Sequence, residues 1–215
     1  MSVKDFMTAE LITVPSDTKI FDAVDLMKKY DIHRLPVVDQ DQLVGLITEG
    51  TIQEALPSKA TSLSVHEVNY LLNKTVVADV MIKDVKIVAP DAELEDAIYL
   101  MRQNKINVLP VLDGKRLVGI ITNNDIFDAF LKLTGYHEGG TRLQLKILED
   151  KKGVLASVAQ LLADNDFSIL NLVVDHQVDA TILEIHLQSK EADKIKQLLT
   201  ANGYDVRRAV VTNPS

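Results

Sequence analysis

Apolar residues recur at helical spacing at Ile20, Ala23, Val24 and Met27, and again at Leu94, Ala97, Ile98 and Met101. Asp17 and Asp91 stand where an N-cap belongs for these two helices. Each helix is followed by a short apolar run, Leu35 to Val38 or Leu109 to Leu112. A polar turn comes next, Asp39-Gln40-Asp41-Gln42 or Asp113-Gly114-Lys115-Arg116. A second apolar run, Leu43 to Ile47 or Leu117 to Ile121, completes a β-hairpin signal, and Thr48 and Thr122 then open a further helix. Each unit thus reads as strand, helix, strand, strand, helix.

The two readings agree because the sequence repeats. Val3 to Ala55 lies on Val77 to Ala129 with about two positions in five identical, including Met7 on Met81, Leu35-Pro36-Val37 on Leu109-Pro110-Val111, and Gly45 on Gly119. A unit of this size is marginal alone, since so short a chain buries only about 60% of its unfolded surface. The copies are therefore expected to pack on each other. Between them, Leu56 to Lys74 carries Val65, Val68, Leu71 and Leu72 as an apolar stripe, the mark of a packed crossover helix. After Leu133 a glycine-rich polar linker intervenes. Strands then follow at Arg142 to Leu148, Ser168 to Val174, Thr181 to Leu187 and Asp205 to Val211. Helices fall at Gly153 to Ala163 and Glu191 to Ala201, with Gly203 as C-cap. The order β-α-β-β-α-β is the ferredoxin-like pattern.

Composition narrows the function. A formal net charge of −8 argues against nucleic-acid and anionic-membrane surfaces, which need clustered Lys and Arg. No apolar run approaches the roughly 20 residues of a membrane span, and Lys4, Asp5 and Glu10 near the start leave no signal-peptide core. The absence of cysteine excludes disulfides, thiolate metal sites and cysteine nucleophiles. The five histidines are scattered, with no metal-binding pair, nucleophile elbow or phosphate loop. These features point to a cytoplasmic protein that is not an enzyme and has no resident cofactor.

The two N-terminal copies resemble CBS domains, and their tandem a Bateman module, through Val3-Lys4-Asp5-Phe6-Met7-Thr8, His33-Arg34-Leu35-Pro36-Val37-Val38-Asp39 and Gly119-Ile120-Ile121-Thr122-Asn123-Asn124-Asp125. The C-terminal part resembles an ACT domain through Leu148-Glu149-Asp150-Lys151-Lys152-Gly153-Val154-Leu155. The combination, with Lys132 to Gly135 at the junction, looks like the acetoin-utilisation B type of CBS–ACT protein. The implied architecture is α/β (α+β): CBS domain 1 over 1–56, a connector helix over 57–76, CBS domain 2 over 77–133, a linker over 134–141, and a ferredoxin-like ACT domain over 142–215.

In Bateman modules an adenosine-type ligand lies between the repeats, and the ribose motif Gly-x-x-Thr/Ser-x-x-Asp stands in the second copy as Gly119, Thr122 and Asp125. A carboxylate in the first helical turn can accept from both ribose hydroxyls, while the Thr122 hydroxyl and free helix N–H groups suit phosphate, and Asn124 is a further candidate ligand-binding residue. Spacing alone is equally that of a capping box, in which Thr122 and Asp125 satisfy backbone donors. Both roles can hold at once for Thr122. The resemblance implies that this pocket takes its adenine wall from Val3, Met7, Thr8 and Ile32-His33, with Arg34 at phosphate. On residue type alone, His33-Arg34 is a solvated surface pair.

The first copy has Thr51 where the carboxylate belongs, so the second cleft (Thr48, Thr51, Ile82, Ile106, Asn107) is expected to be weaker. Asp39, Asp41 and Asp113 are candidates to hold Mg²⁺ through phosphate, or are simply solvated turn acids. Asp150, Gly153, Val154 and Leu155 match the place where ACT domains bind amino acids, and the alternative role for that part is dimerisation. The function implied is a regulatory sensor of AMP, then ADP, ATP or an S-adenosyl compound, forming a homodimer and acting on a regulated protein linked to acetoin utilisation. The competing reading is a scaffold with vestigial clefts.

Overall fold

The computed structural model describes residues 1–55, 74–149 and 151–213. They fall into two compact units, Met1–Ile126 and Phe127–Ser215. The connector-helix expectation at Leu56 to Lys74 lies almost wholly outside the described residues.

In the first unit each repeat contributes one amphipathic helix, α1 (Ile20–Tyr30) or, in the second copy, α4 (Leu94–Asn104). Their buried positions, Ile20, Ala23 and Met27 or Leu94, Ala97 and Met101, are those the 3.6-residue period selects. Both helices end on a left-handed residue, Asp31 (φ 52°) or Lys105 (φ 54°). The next amide reaches back in each case, Ile32 N to Met27 O at 2.9 Å and Ile106 N to Met101 O at 3.0 Å. This Schellman closure turns the chain sharply into the hairpin.

The hairpins are β1 (Arg34–Asp39) with β2 (Gln42–Thr48), and β3 (Val108–Asp113) with β4 (Arg116–Thr122). Each closes through two residues; Gln40 and Asp41 both take positive φ, as a type I′ turn requires, whereas in the second hairpin only Gly114 of the pair does. The helices after them are α2 (Glu49–Ala55) and α5 (Asn123–Leu133), and a short α3 (Val77–Val80) opens the second copy.

Two expectations are corrected. The leading strand of each copy is a single parallel bridge, Val14 to Val37 and Val88 to Val111. Val14 N reaches Pro36 O and Val38 N reaches Val14 O, but Pro15 follows at once and Pro36 has no N–H, so the ladder cannot extend. Asp17 and Asp91 are not N-caps: α1 and α4 begin after Lys19 and Glu93, which make no side-chain cap bond. Backbone from the other repeat does part of the capping instead. Ile20 N donates to Thr75 O at 3.1 Å, and Leu94 N to Met1 O at 2.8 Å. In the same exchange Val3 N donates to Ala92 O and Val77 N to Thr18 O. The leading turn of each copy thus crosses onto the other, which fixes the pseudo-twofold pair. Asp91 instead takes an ion pair with Lys4.

The second unit is one antiparallel sheet of β5 (Gly140–Ile147), β6 (Ile169–His176), β7 (Thr181–Leu187) and β8 (Asp205–Thr212), in the order β6-β7-β5-β8. Helices α6 (Val154–Ala163) and α7 (Ala192–Ala201) alternate with the strands in the sequence order read from periodicity. Leu143, Leu145, Leu183, Ile185 and Leu187 form one core with Val158, Leu162, Ile195 and Leu199 of the helices. The strand alternation and the helix stripes meet there. Gly203 (φ 85°) stands one residue past Asn202, the C-cap of α7. The edge strand β6 is apolar and open, with Ile169, Leu170, Val173 and Val174 exposed.

Candidate functional site

Helix α5 begins where β4 ends, and that junction places Thr122 and Asp125 together. Thr122 N and Thr122 Oγ1 both donate to Asp125 Oδ2 at 2.7 Å, and Asp125 N approaches Thr122 Oγ1 at 3.4 Å. The capping-box reading is therefore correct for one carboxylate oxygen. Among the described residues the other, Oδ1, meets only a long contact from Thr8 Oγ1 at 3.5 Å. Thr8 comes from the other repeat, held there by two backbone bonds with Ile120, Thr8 N to Ile120 O at 2.9 Å and Ile120 N to Thr8 O at 3.0 Å.

Gly119 lies directly against the side chain of the crossing segment. A Cβ at Gly119 would lie 2.3 Å from Met7 Sδ, so the glycine of the motif serves the other repeat's methionine. Gly45 does the same for Met81, at 2.4 Å. The sequence showed both glycines and both methionines repeating, but only the fold shows that they are partners.

Arg34, at the start of β1, is half-buried beside the same carboxylate. Burial lowers the pKa of its guanidinium, and the Asp125 charge opposes that shift. Among the described residues the Arg34 guanidinium has no hydrogen-bond or ion-pair partner. A partly desolvated cation left in this way favours an anion, and guanidinium suits phosphate geometry. The structure thus joins Thr8 and Arg34 of the first copy with Thr122 and Asp125 of the second.

Other expected residues fall differently. Val3 has no accessible surface and belongs to the core, so its side chain does not wall an open cleft. Met7 is half-buried against Gly119, Ile32 is half-buried, and Asn124 is exposed in the first turn of α5. His33 is paired within its own copy, Nδ1 at 3.1 Å from Glu49 Oε2, with 65% of its side chain exposed. Sequence reasoning missed Glu49, because its reach back to His33 depends on the hairpin folding the two together. Asp39 is tied down too: its carboxylate accepts from Ser16 N at 2.9 Å, and hydrogen bonding from Ser16 holds it below the usual carboxylate range.

The counterpart cleft has the same frame with other side chains. Leu46 and Ile82 exchange two backbone bonds of 2.9 Å, as Thr8 and Ile120 do. Thr48 N donates to Thr51 Oγ1 at 3.0 Å, and Thr51 N to Thr48 Oγ1 at 3.1 Å. The Thr51 hydroxyl donates its own proton to Thr48 O at 2.8 Å. A single oxygen closes the cap here, so nothing corresponds to the spare oxygen of Asp125. Ile106 is half-buried and Asn107 exposed.

In the second unit Gly153 (φ 95°) precedes α6, Val154 packs against the core, and Leu155 is exposed. Asp150 lies outside the described residues. Among the described residues no group of three or more His, Asp or Glu could hold a metal, and no helix is long and apolar enough to cross a membrane.

The CBS domain model matches residues 3–58 and 77–132. The chain belongs to the CBS domain family. It carries a tandem CBS pair in a mixed α/β fold. It is similar to inosine-5′-monophosphate dehydrogenase of Methanocaldococcus jannaschii, 33% identical over 94% of this chain, but it spans only 36% of that protein. Among solved structures, a putative acetoin utilization protein (AcuB) from Vibrio cholerae is 32% identical, covering 64% of this chain and 96% of its own, with a TM-score of 0.54. CBSX2, solved in complex with AMP, is 31% identical over 62% of this chain and 98% of its own, TM-score 0.52. The CBS pair of protein MJ0100, in complex with 5′-methylthioadenosine and S-adenosyl-L-methionine, is 30% identical over 60% of this chain and 95% of its own, TM-score 0.50.

Proposed function

We propose that this protein is a non-catalytic regulator that binds an adenine nucleotide between its repeats, AMP first, with ADP, ATP or an S-adenosyl compound behind it. One observation carries the reading. Capping accounts for Asp125 Oδ2, but it leaves Oδ1 open beside Thr8 and leaves the half-buried Arg34 without a partner among the described residues. A ribose diol on Oδ1 and a phosphate on Arg34 satisfy both groups, with Met7, Thr8 and Ile32 beside them, Asn124 at the helix start and His33 on the rim. A scaffold with vestigial clefts would have no use for that arrangement. The AMP-bound neighbour CBSX2 supports the choice of ligand. Any Mg²⁺ would enter with the phosphates. Calorimetry with AMP on the full chain is expected to show one tight equivalent, with adenosine at least tenfold weaker, about 1.4 kcal/mol, for want of a phosphate on Arg34. A protein that takes up no AMP overturns the reading.

We read the C-terminal unit as a ferredoxin-like ACT domain used chiefly for dimerisation, with the turn at Asp150, Gly153, Val154 and Leu155 as a candidate amino-acid site. The order β6-β7-β5-β8 supports the fold, and the apolar β6 edge supports the assembly. An exposed strand carrying Ile169, Leu170, Val173 and Val174 is a template for pairing, and a second copy of this chain covers it most simply. Light scattering at micromolar concentration is expected to give twice the chain mass, falling to one when Leu170 and Val174 are both changed to lysine. A monomeric native chain refutes it. The resemblance to the AcuB structure supports a cytoplasmic role in acetoin utilisation through a regulated protein that the chain itself does not identify.

A further inference from the structure

In the second unit, Leu143 and Ile185 face the helices, so their neighbours Arg142 and His186 point to the opposite face of the sheet. The run after α5 is fastened to that face from three strands. Asn171 Nδ2 of β6 donates to Leu133 O at 2.6 Å, Arg142 of β5 to Thr134 O at 3.0 Å, and His186 Nε2 of β7 to Gly139 O at 3.0 Å. Arg142 and Asn171 are the two cross-strand partners of His186, so the three form one row. Within the run Gly135 and Gly139 are buried while Tyr136, His137 and Glu138 are exposed, which makes it a strap that meets the sheet through glycine. His186 is the buried member of the row, 2% exposed. Its ring is closed in by two glycines of positive φ. A Cβ at Gly135 would lie 2.9 Å from Nδ1, and one at Gly140 3.3 Å from Nε2. Gly139 O can only accept, so Nε2 carries the proton of the neutral ring and Nδ1 is bare. Among the described residues Nδ1 is a buried nitrogen with no hydrogen-bond partner.

A second proton on this ring would find no acceptor. It would place an N–H and a charge against Gly135, out of contact with water, and both are unfavourable there. The surrounding groups do not relieve this. Arg142, directly across on β5, is a like charge, and Asn171 on β6 is uncharged. On the strap Glu138 is exposed and makes no bond to the ring, while Tyr136 and His137 pack edge-to-face on each other in its exposed part. Lys132, at the end of α5, is exposed. On β7 itself Glu184 accepts from Gln144 at 2.6 Å. We propose that His186 is a proton-operated latch, whose neutral ring holds residues 134–139 on the sheet and whose protonation releases them. The closed strap accepts only the neutral ring, so it binds fewer protons than the released one. Its hold is therefore present above the ordinary histidine range and is lost as pH falls through it. Release uncovers the row of Arg142, His186 and Asn171, and it needs no nucleotide.

Hydrogen exchange on the full chain, corrected for its intrinsic pH dependence, reads the strap directly. The reporters are the amides of Gly135, Tyr136 and Glu138, which donate to Lys132 O, Leu131 O and Gly135 O. Their protection is expected to fall about tenfold or more between about pH 8 and about pH 5.5, while the amides between β5 and β7 keep theirs. His186→Gln can still donate to Gly139 O but cannot take up a proton, and its strap should stay protected at both ends of that range. Nitrogen NMR of the native ring supplies a second readout should that variant fail to fold. Nδ1 is expected to be bare while the strap is closed and protonated only as it opens. A strap equally protected at both pH values, a folded His186→Gln protein that still loses protection in acid, or a ring that carries a proton on Nδ1 in the closed state overturns the inference.

Discussion

Asp125→Ala is expected to weaken AMP binding at least tenfold, about 1.4 kcal/mol, because the ribose loses its charged acceptor in a partly dry site. The structure adds a second effect. The same side chain caps α5 through Thr122 N and Oγ1 at 2.7 Å, and loss of such a cap costs about 1 kcal/mol of stability. Thermal melting should therefore fall with affinity in the alanine variant. Asp125→Asn separates the two effects, since its carbonyl oxygen can still accept from Thr122 while the charge is gone. We expect near-native melting and AMP binding weakened several-fold. Native affinity in a folded Asp125→Ala protein would show that the carboxylate serves the helix alone.

Gly140→Ala is expected to be the most damaging single methyl in the second unit. Gly140 opens β5 at φ 128°, where side chains are strongly disfavoured, and it is buried. A Cβ there would lie 2.1 Å from the carbonyl oxygen of Leu187, a backbone atom of the central strand β7 that cannot swing away. Backbone strain of this kind costs about 1–3 kcal/mol, and the collision adds to it by prising β5 from β7. A loss of about 3 kcal/mol would lower the melting of a unit this size by roughly 10–20 °C. Differential scanning calorimetry on the full chain checks it, and a melting point within 2 °C, or about 0.5 kcal/mol, of the native value would refute it. His186 shares this corner: its Nε2 lies 3.0 Å from Gly139 O, and Arg142 reaches Thr134 O at 3.0 Å. The glycine-rich run that reads as a short linker in sequence is held to the sheet by these two contacts.

What was legible in sequence was local. The 3.6-residue stripe of Ile20, Ala23 and Met27 selects the buried face of α1, and the two-residue turns at Gln40-Asp41 and Gly114-Lys115 select the hairpins, because these follow from neighbours in the chain. The repeat carried the pairing of Thr122 with Asp125 and the deficit at Thr51, since a cap needs only three residues' spacing. The tertiary structure decided everything that joins distant residues. Backbone of the other repeat replaces Asp17 and Asp91 at the helix starts, a choice invisible from capping preference because the competing acceptors, Thr75 O and Met1 O, lie far away in sequence. His33 pairs with Glu49, Val3 goes to the core, and Arg34 is left half-buried beside Asp125. Side-chain identity fixes what a group can do. Which partner it finds, and how much water it loses, depends on how the chain closes around it.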